Sequence, residues 1–240
     1  HVDGVVLAST HEDDPLFARL WEDGVPFVMA GSHTDERVNY VDVDNKGGSR
    51  MAVEHLIRLG HTRIGIITGP LRMVHGTDRL AGYQQALEAH QIALDDDLIV
   101  EGDYTEASGS VGLQRLLPAS PTAVFAASDV MAIGALKALR EAGLRVPRDV
   151  ALVGFDDMPI AAAVEPALTT VRQPMERLGA MAASLLVSLL TDPPAPEAPA
   201  QRLILPTELV VRDSCGALHK AAGRPDAGRP YKENRVFERV

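Results

Sequence analysis

Aromatic residues make up only 4% of the 240 residues, so aliphatic side chains have to build the core. The single cysteine, Cys215, excludes an intrachain disulfide framework and points to a reducing compartment, here the cytoplasm. No apolar run approaches the roughly 20 residues a membrane span needs, and no basic segment followed by an apolar one marks a signal peptide, so no membrane partner is expected. Positive charge is also short. The formal net charge of −10 opposes the basic face that gripping nucleic acid requires. The usual enzyme signatures are missing: no GxSxG, no Walker A sequence, and no GxGxxG after a strand. "GPLRMVHG" (Gly69–Gly76) has two glycines but lacks the Gly-Lys-Ser/Thr ending of a phosphate loop. Cys215 stands at the edge of a tail, a poor place for a nucleophile. "HEDD" (His11–Asp14) is metal-like in composition only and reads as a solvated loop, because no second ligand cluster accompanies it. No catalytic residue, metal or cofactor is expected.

What is present is an alternation. Short aliphatic and β-branched runs predict buried strands at Val2–Ala8, Pro26–Ala30, Val38–Val43, Arg63–Thr68, Leu98–Gly102, Ala123–Ala126, Val150–Phe155 and Leu168–Arg172. Apolar residues three and four apart predict helices over Lys46–Leu59, Asp78–Ala89, Ala107–Leu117, Asp129–Ala142 and Met175–Leu190. Such alternation predicts an α/β fold, with parallel sheets covered by helices on both faces. Gly60 and Gly143 suit the left-handed position that ends a helix, and Ser128 or Asp129 suits an N-cap. "TDPPAPEAPA" (Thr191–Ala200) reads as a linker, and Gln201–Ser214 as one or two strands interrupted at Pro206. From residue 215 onward the Gly-, Pro- and Arg-rich sequence predicts a disordered tail.

In an open parallel sheet, ligands collect at the carboxyl ends of the strands. Those ends deliver Ser9 and Thr10, the loop from Gly69 through His75 to Arg79, Asp103 and Tyr104, Ser128 and Asp129, and Asp156 and Asp157. Hydroxyl, imidazole, guanidinium, phenol and carboxylate together suit a small polar ligand held by directed hydrogen bonds. Each has a plainer alternative. Arg79 can pair on the surface with Asp78 or Glu88. Tyr104 can pack beside its strand. Asp129 can cap a helix. The stretch "ALVGFDDMP" (Ala151–Pro159) is the sharpest case, since a buried run ends in two acids whose unpaired burial would be costly. Asp156 reads as the ligand hook, paired with ligand, water or Arg79, and Asp157 as the cap of the turn into Pro159.

The stretches "YVDVDNKGGSRMAVEHLIRLGHTRIGIITGP", "DRLAGYQQAL", "PTAVFAASDVMAIGALKALREAGLRVPRDVALVGFDD" and "PALTTVRQP" resemble the effector-binding region of lactose-repressor/galactose-repressor (LacI/GalR) type transcription regulators. The resemblance runs from about Val2 to Ser214. "GDYTEASG" (Gly102–Gly109) is similar to the matching segment of the purine and lactose repressors. It implies a two-lobed, periplasmic-binding-protein-like fold, with an effector in the cleft between lobes and crossings near Asp42, Arg172 and Gln201. Residues 1–42 and 172–200 would form the N-terminal lobe, and 43–171 with 201–214 the C-terminal lobe. The effector, a sugar or second a nucleoside-like molecule, would contact Ser9, His75, Arg79, Tyr104, Ser128 and Asp156. Ser128 stands where several members have asparagine, Met73 where the purine-binding type has arginine, and Ala30 where lactose and purine types have aspartate. The resemblance further implies a homodimer. Because the chain starts at His1 inside what resembles the N-terminal lobe, operator DNA would be bound only through an absent helix-turn-helix domain. A transporter's periplasmic sugar-binding protein is the alternative reading.

Overall fold

The computed structural model describes residues 2–8, 14–195 and 198–217. Two parallel sheets carry the chain. The first has the order β1 (Val5–Ala8), β2 (Phe27–Ala30), β3 (Tyr40–Val43), β9 (Arg202–Leu205), all parallel. The second has the order β10 (Glu208–Val210), β8 (Thr169–Arg172), β7 (Ala151–Asp156), β6 (Ala123–Ala126), β4 (Ile64–Thr68), β5 (Ile99–Glu101), with only β10 antiparallel.

Side-chain alternation along the strands decides what covers each face. In β2, Phe27 and Met29 point toward α1 (Pro15–Glu22) and join Phe17 and Leu20. Val28 between them points to the other face, where α7 (Met175–Thr191) seats Leu178, Ala182 and Leu185. The second sheet is covered likewise. Helices α2 (Asn45–Arg58) and α3 (Val74–Ala89) pack on one face with Ile64, Ile66, Phe125 and Phe155. Helices α4 (Glu106–Leu116) and α5 (Asp129–Glu141) pack on the other with Ile67, Val124 and Leu152. Gly134 lets α5 approach α4 closely, because a Cβ there would run into the Glu106 carbonyl oxygen. Among the described residues, no helix is long and apolar enough to cross a membrane.

The alternation read from the sequence matches these elements to within a few residues, and Gly60 and Gly143 take the left-handed conformation at φ 92° and 71°. Four differences stand out. Pro15–Glu22 is helical, started by Asp14 accepting the Leu16 N–H and by proline in the first turn. Pro159–Ala163 forms a short helix, α6. Gln201–Ser214, expected as a whole in the C-terminal lobe, is divided between the sheets: Arg202–Leu205 pair with β3, and the chain passes to the second sheet at Pro206, where β10 meets β8. The tail does not begin at 215. Ser214 donates to the Leu152 carbonyl and accepts the Thr169 N–H, which seats Cys215 against the core at 1% exposure with Ala217 packed beside it. The rest of the expected tail, 218–240, lies outside the described residues.

Candidate functional site

The carboxyl ends of both sheets meet at one polar centre. Arg79, in the first turns of α3, is 5% exposed and so is no surface ion-pair residue. Its Nε donates to Asn45 Oδ1 at 2.9 Å and its Nη1 to the Ala127 carbonyl at 2.5 Å. Nη1 also lies 3.5 Å from Asp156 Oδ1, and the guanidinium sits 3.7 Å over the Phe155 ring. Gln173 Nε2 donates to the same Asp156 oxygen at 2.6 Å. Burial pushes the Asp156 carboxyl up from its ordinary pKa, outweighing the opposing pull of Arg79 and Gln173.

The end of β7 is held in an unusual backbone shape. Asp156 and Asp157 have φ values of 118° and 56°, a left-handed region in which aspartate is tolerated better than most residues. The two acids have different tasks. Asp157 does not cap the turn into Pro159. Its carboxylate takes Arg172 Nε and Arg212 Nη2, each at 2.6 Å. Burial alone would raise its pKa, but these two arginines hold it low. The turn is fixed instead by Asp129, which accepts the Met158 N–H at 2.8 Å and the Thr170 hydroxyl at 2.6 Å. Asp129 is therefore not the helix cap; Ser128 is, through the Met131 N–H. Burial raises the Asp129 pKa to about 7 against those two hydrogen bonds, with Asp156 and Asp157 adding to the rise.

Two cavities open on this centre. One of about 210 Å³ is lined by Ala30, Ser32, His33, Asp42, His75 and Arg79 among others. A wider groove of about 790 Å³ runs past Asp156, Met158, Pro159, Arg172 and Pro174. Gln173 and Met175 line both. The His75 ring leans on Tyr104 at 5.3 Å, and burial together with nearby Arg79 lowers its pKa to about 4. His75 is therefore a neutral donor–acceptor near neutrality. Two buried side-chain atoms lack any partner among the described residues, His33 Nε2 and the Tyr104 hydroxyl. The Asp35 N–H donates to His33 Nδ1, so Nε2 carries the proton and is an unused donor in a cavity-lining residue.

Of the residues expected from the sequence, Arg79, Asp156 and His75 come together here. Tyr104 adjoins through His75 without lining either cavity. Ser128 accepts the Met131 N–H as the helix cap and lines neither cavity, and Ser9 lies outside the described residues. The sequence reading missed Ser32, His33, Asp42, Asn45 and Gln173. Asp42 and Asn45 stand in "VDVDN", at the end of the predicted strand Val38–Val43 and before the predicted helix from Lys46, where nothing local marks them as site residues.

A model of the periplasmic binding protein-like domain matches residues 53–215. The chain is 37% identical to a regulatory protein of the LacI family from Chloroflexus aggregans, whose crystal structure superposes with a TM-score of 0.81 over 89% of this chain and 76% of that one. The chain belongs to the LacI family. It is also 48% identical over 219 residues to the HTH-type transcriptional regulator CelR of Thermobifida fusca, covering 89% of this chain and 64% of the relative. A structure described as a transcriptional regulator CelR–cellobiose complex is 47% identical, with a TM-score of 0.85 over 89% of this chain and 66% of that one. The chain thus spans about two thirds of the length of such LacI-family relatives, which are transcriptional regulators rather than enzymes.

Proposed function

We propose that the chain is the effector-sensing part of a LacI-family regulator and that its effector is a sugar held between the two sheets. The observation that carries this is the buried Arg79–Asp156 pair with Gln173, placed where the cavities meet. A carboxylate, a guanidinium and a carboxamide converging on one point match vicinal hydroxyls, each of which donates and accepts. Met158, Pro159, Pro174 and Met175 give the groove an apolar side suited to a sugar ring face. Because the two cavities share Gln173 and Met175, the site suits a sugar of more than one ring. The cellobiose of the CelR complex supports the same class.

In this reading the sugar acts by binding one closure of the two lobes better than another, and that preference is passed to a DNA-binding segment outside this chain, in a dimer. A thermal-shift panel of cellobiose, glucose, ribose, guanosine and hypoxanthine tests the ligand class. A sugar is expected to raise Tm in proportion to the logarithm of its concentration above Kd. Stabilisation by the nucleoside or nucleobase alone, or by nothing in the panel, would overturn the reading.

A further inference from the structure

Asn45 occupies the crossing from β3 to α2 and is 2% exposed. Its carboxamide is used at both ends. Nδ2 donates toward both oxygens of Asp42, at 3.3 and 3.2 Å, and to the Val43 carbonyl at 3.3 Å. Oδ1 accepts Arg79 Nε at 2.9 Å. On the first-sheet side, Asp42 also accepts the Ser32 N–H at 2.9 Å and the Ser32 hydroxyl at 2.6 Å, fixing the loop that follows Gly31, whose φ is 127°. On the second-sheet side, Arg79 reaches Ala127 and Asp156. The result is one hydrogen-bonded chain, Ser32–Asp42–Asn45–Arg79–Asp156, in which Asn45 is the joint between the lobes.

We infer that Asn45 is a positioning residue that ties the aim of Arg79 to the placement of the first-lobe loop at Ser32. Only an amide does this. The side facing Asp42 must donate and the side facing Arg79 must accept, so Asp at 45 loses the donating end, Leu loses both, and Ser has a single short hydroxyl in place of two separated groups. Arg79 is otherwise fixed wholly from the second lobe, by Ala127, by Phe155, and by Ser49, which donates to the Arg79 carbonyl at 2.5 Å. Without Asn45, the guanidinium keeps its place but loses its link to the other lobe. The meaning of the linkage for effector sensing rests on the function proposed above; the linkage itself does not.

A double-mutant cycle tests it without any ligand. Asp42→Asn turns the acceptor that Asn45 faces partly into a donor. Arg79→Lys keeps the charge and removes the Nε hydrogen bond, so the pair cannot couple through a changed charge at 79. Urea unfolding of both single variants and the double variant is expected to show a coupling of about fivefold in the folding constant, within the range for members of one network. In an Asn45→Ala background the coupling is expected to vanish. A merely structural Asn45 would lower stability in every background and leave the coupling intact. That result, or no coupling in the native background, would overturn the inference. Amide exchange at Ser32 supplies a second readout if Asn45→Ala does not fold. Arg79→Lys alone is expected to speed exchange of the Ser32 N–H several-fold, and an unchanged rate would overturn the inference equally.

Discussion

Replacing Arg79 with methionine keeps the volume of the side chain and removes its charge and donors. The structure sets the size of the effect. Breaking one partner of a buried ion pair costs about 3–5 kcal/mol. Arg79 and Asp156 have side chains 6% and 23% exposed and meet at 3.5 Å, which places this pair at the lower end, about 3 kcal/mol at pH 8. The Asn45 Oδ1 and Ala127 carbonyl acceptors are lost at any pH, worth about 1–2 kcal/mol together if water reaches one of them. The remainder belongs to Asp156 and is pH-dependent. The folded-state pKa of Asp156 is already raised, and removing the cation raises it further. A carboxyl with a raised folded pKa destabilises once ionised, so the penalty is full above that pKa and fades as pH falls and the group takes a proton. Urea unfolding of wild type and Arg79→Met at pH 8 and pH 5 is therefore expected to show a larger difference at pH 8. A difference that is equal at the two values would show that Asp156 does not depend on Arg79.

Two groups, Asp129 in the core and half-buried His75, tilt the pH dependence of stability in opposite directions. Asp129, raised to about 7, makes stability fall as pH rises from about 4 to 7, whereas His75, lowered to about 4, makes it rise from about 4 to 6.5. Asp129→Asn should steepen the rise with pH and His75→Gln should flatten it, read as slopes of unfolding free energy against pH. Tyr104→Phe removes a buried hydroxyl with no partner and should leave the ligand-free chain as stable or up to about 1 kcal/mol more so, measured by urea midpoint. Gly134→Val drives a side chain into the Glu106 carbonyl where α4 meets α5 and should cost about 2–4 kcal/mol, seen as a drop in Tm.

The sequence made some of this legible for physical reasons. Strands buried on both faces show as short aliphatic runs, and helices show by period, so the second sheet and its four covering helices could be read directly. The acid pair at 156 and 157 was conspicuous because a buried run seldom ends in two carboxylates. Their division of labour was not legible, since the partners of Asp157 lie 15 and 55 residues away. Asn45 was hidden for a similar reason. It follows Asp44, which caps α2 through the Gly47 N–H, and only the fold brings Arg79, 34 residues on, to its side chain. Helix α1 carried its own signal, Asp14 followed by Pro15, but its 8 residues are too few for a clear period. β9 and β10 are split by Pro206, and nothing local says that the two halves join different sheets.

The effector is expected where the carboxyl ends of the two sheets meet. A crystal structure of the chain with whichever sugar gives the largest thermal shift tests this most directly, paired with a titration of the same sugar into Asp156→Ala. Sugar hydroxyls are expected within hydrogen-bond distance of Arg79, Asp156 and Gln173, with binding lost in the variant. A sugar bound away from these three side chains, or held equally well by Asp156→Ala, would contradict it.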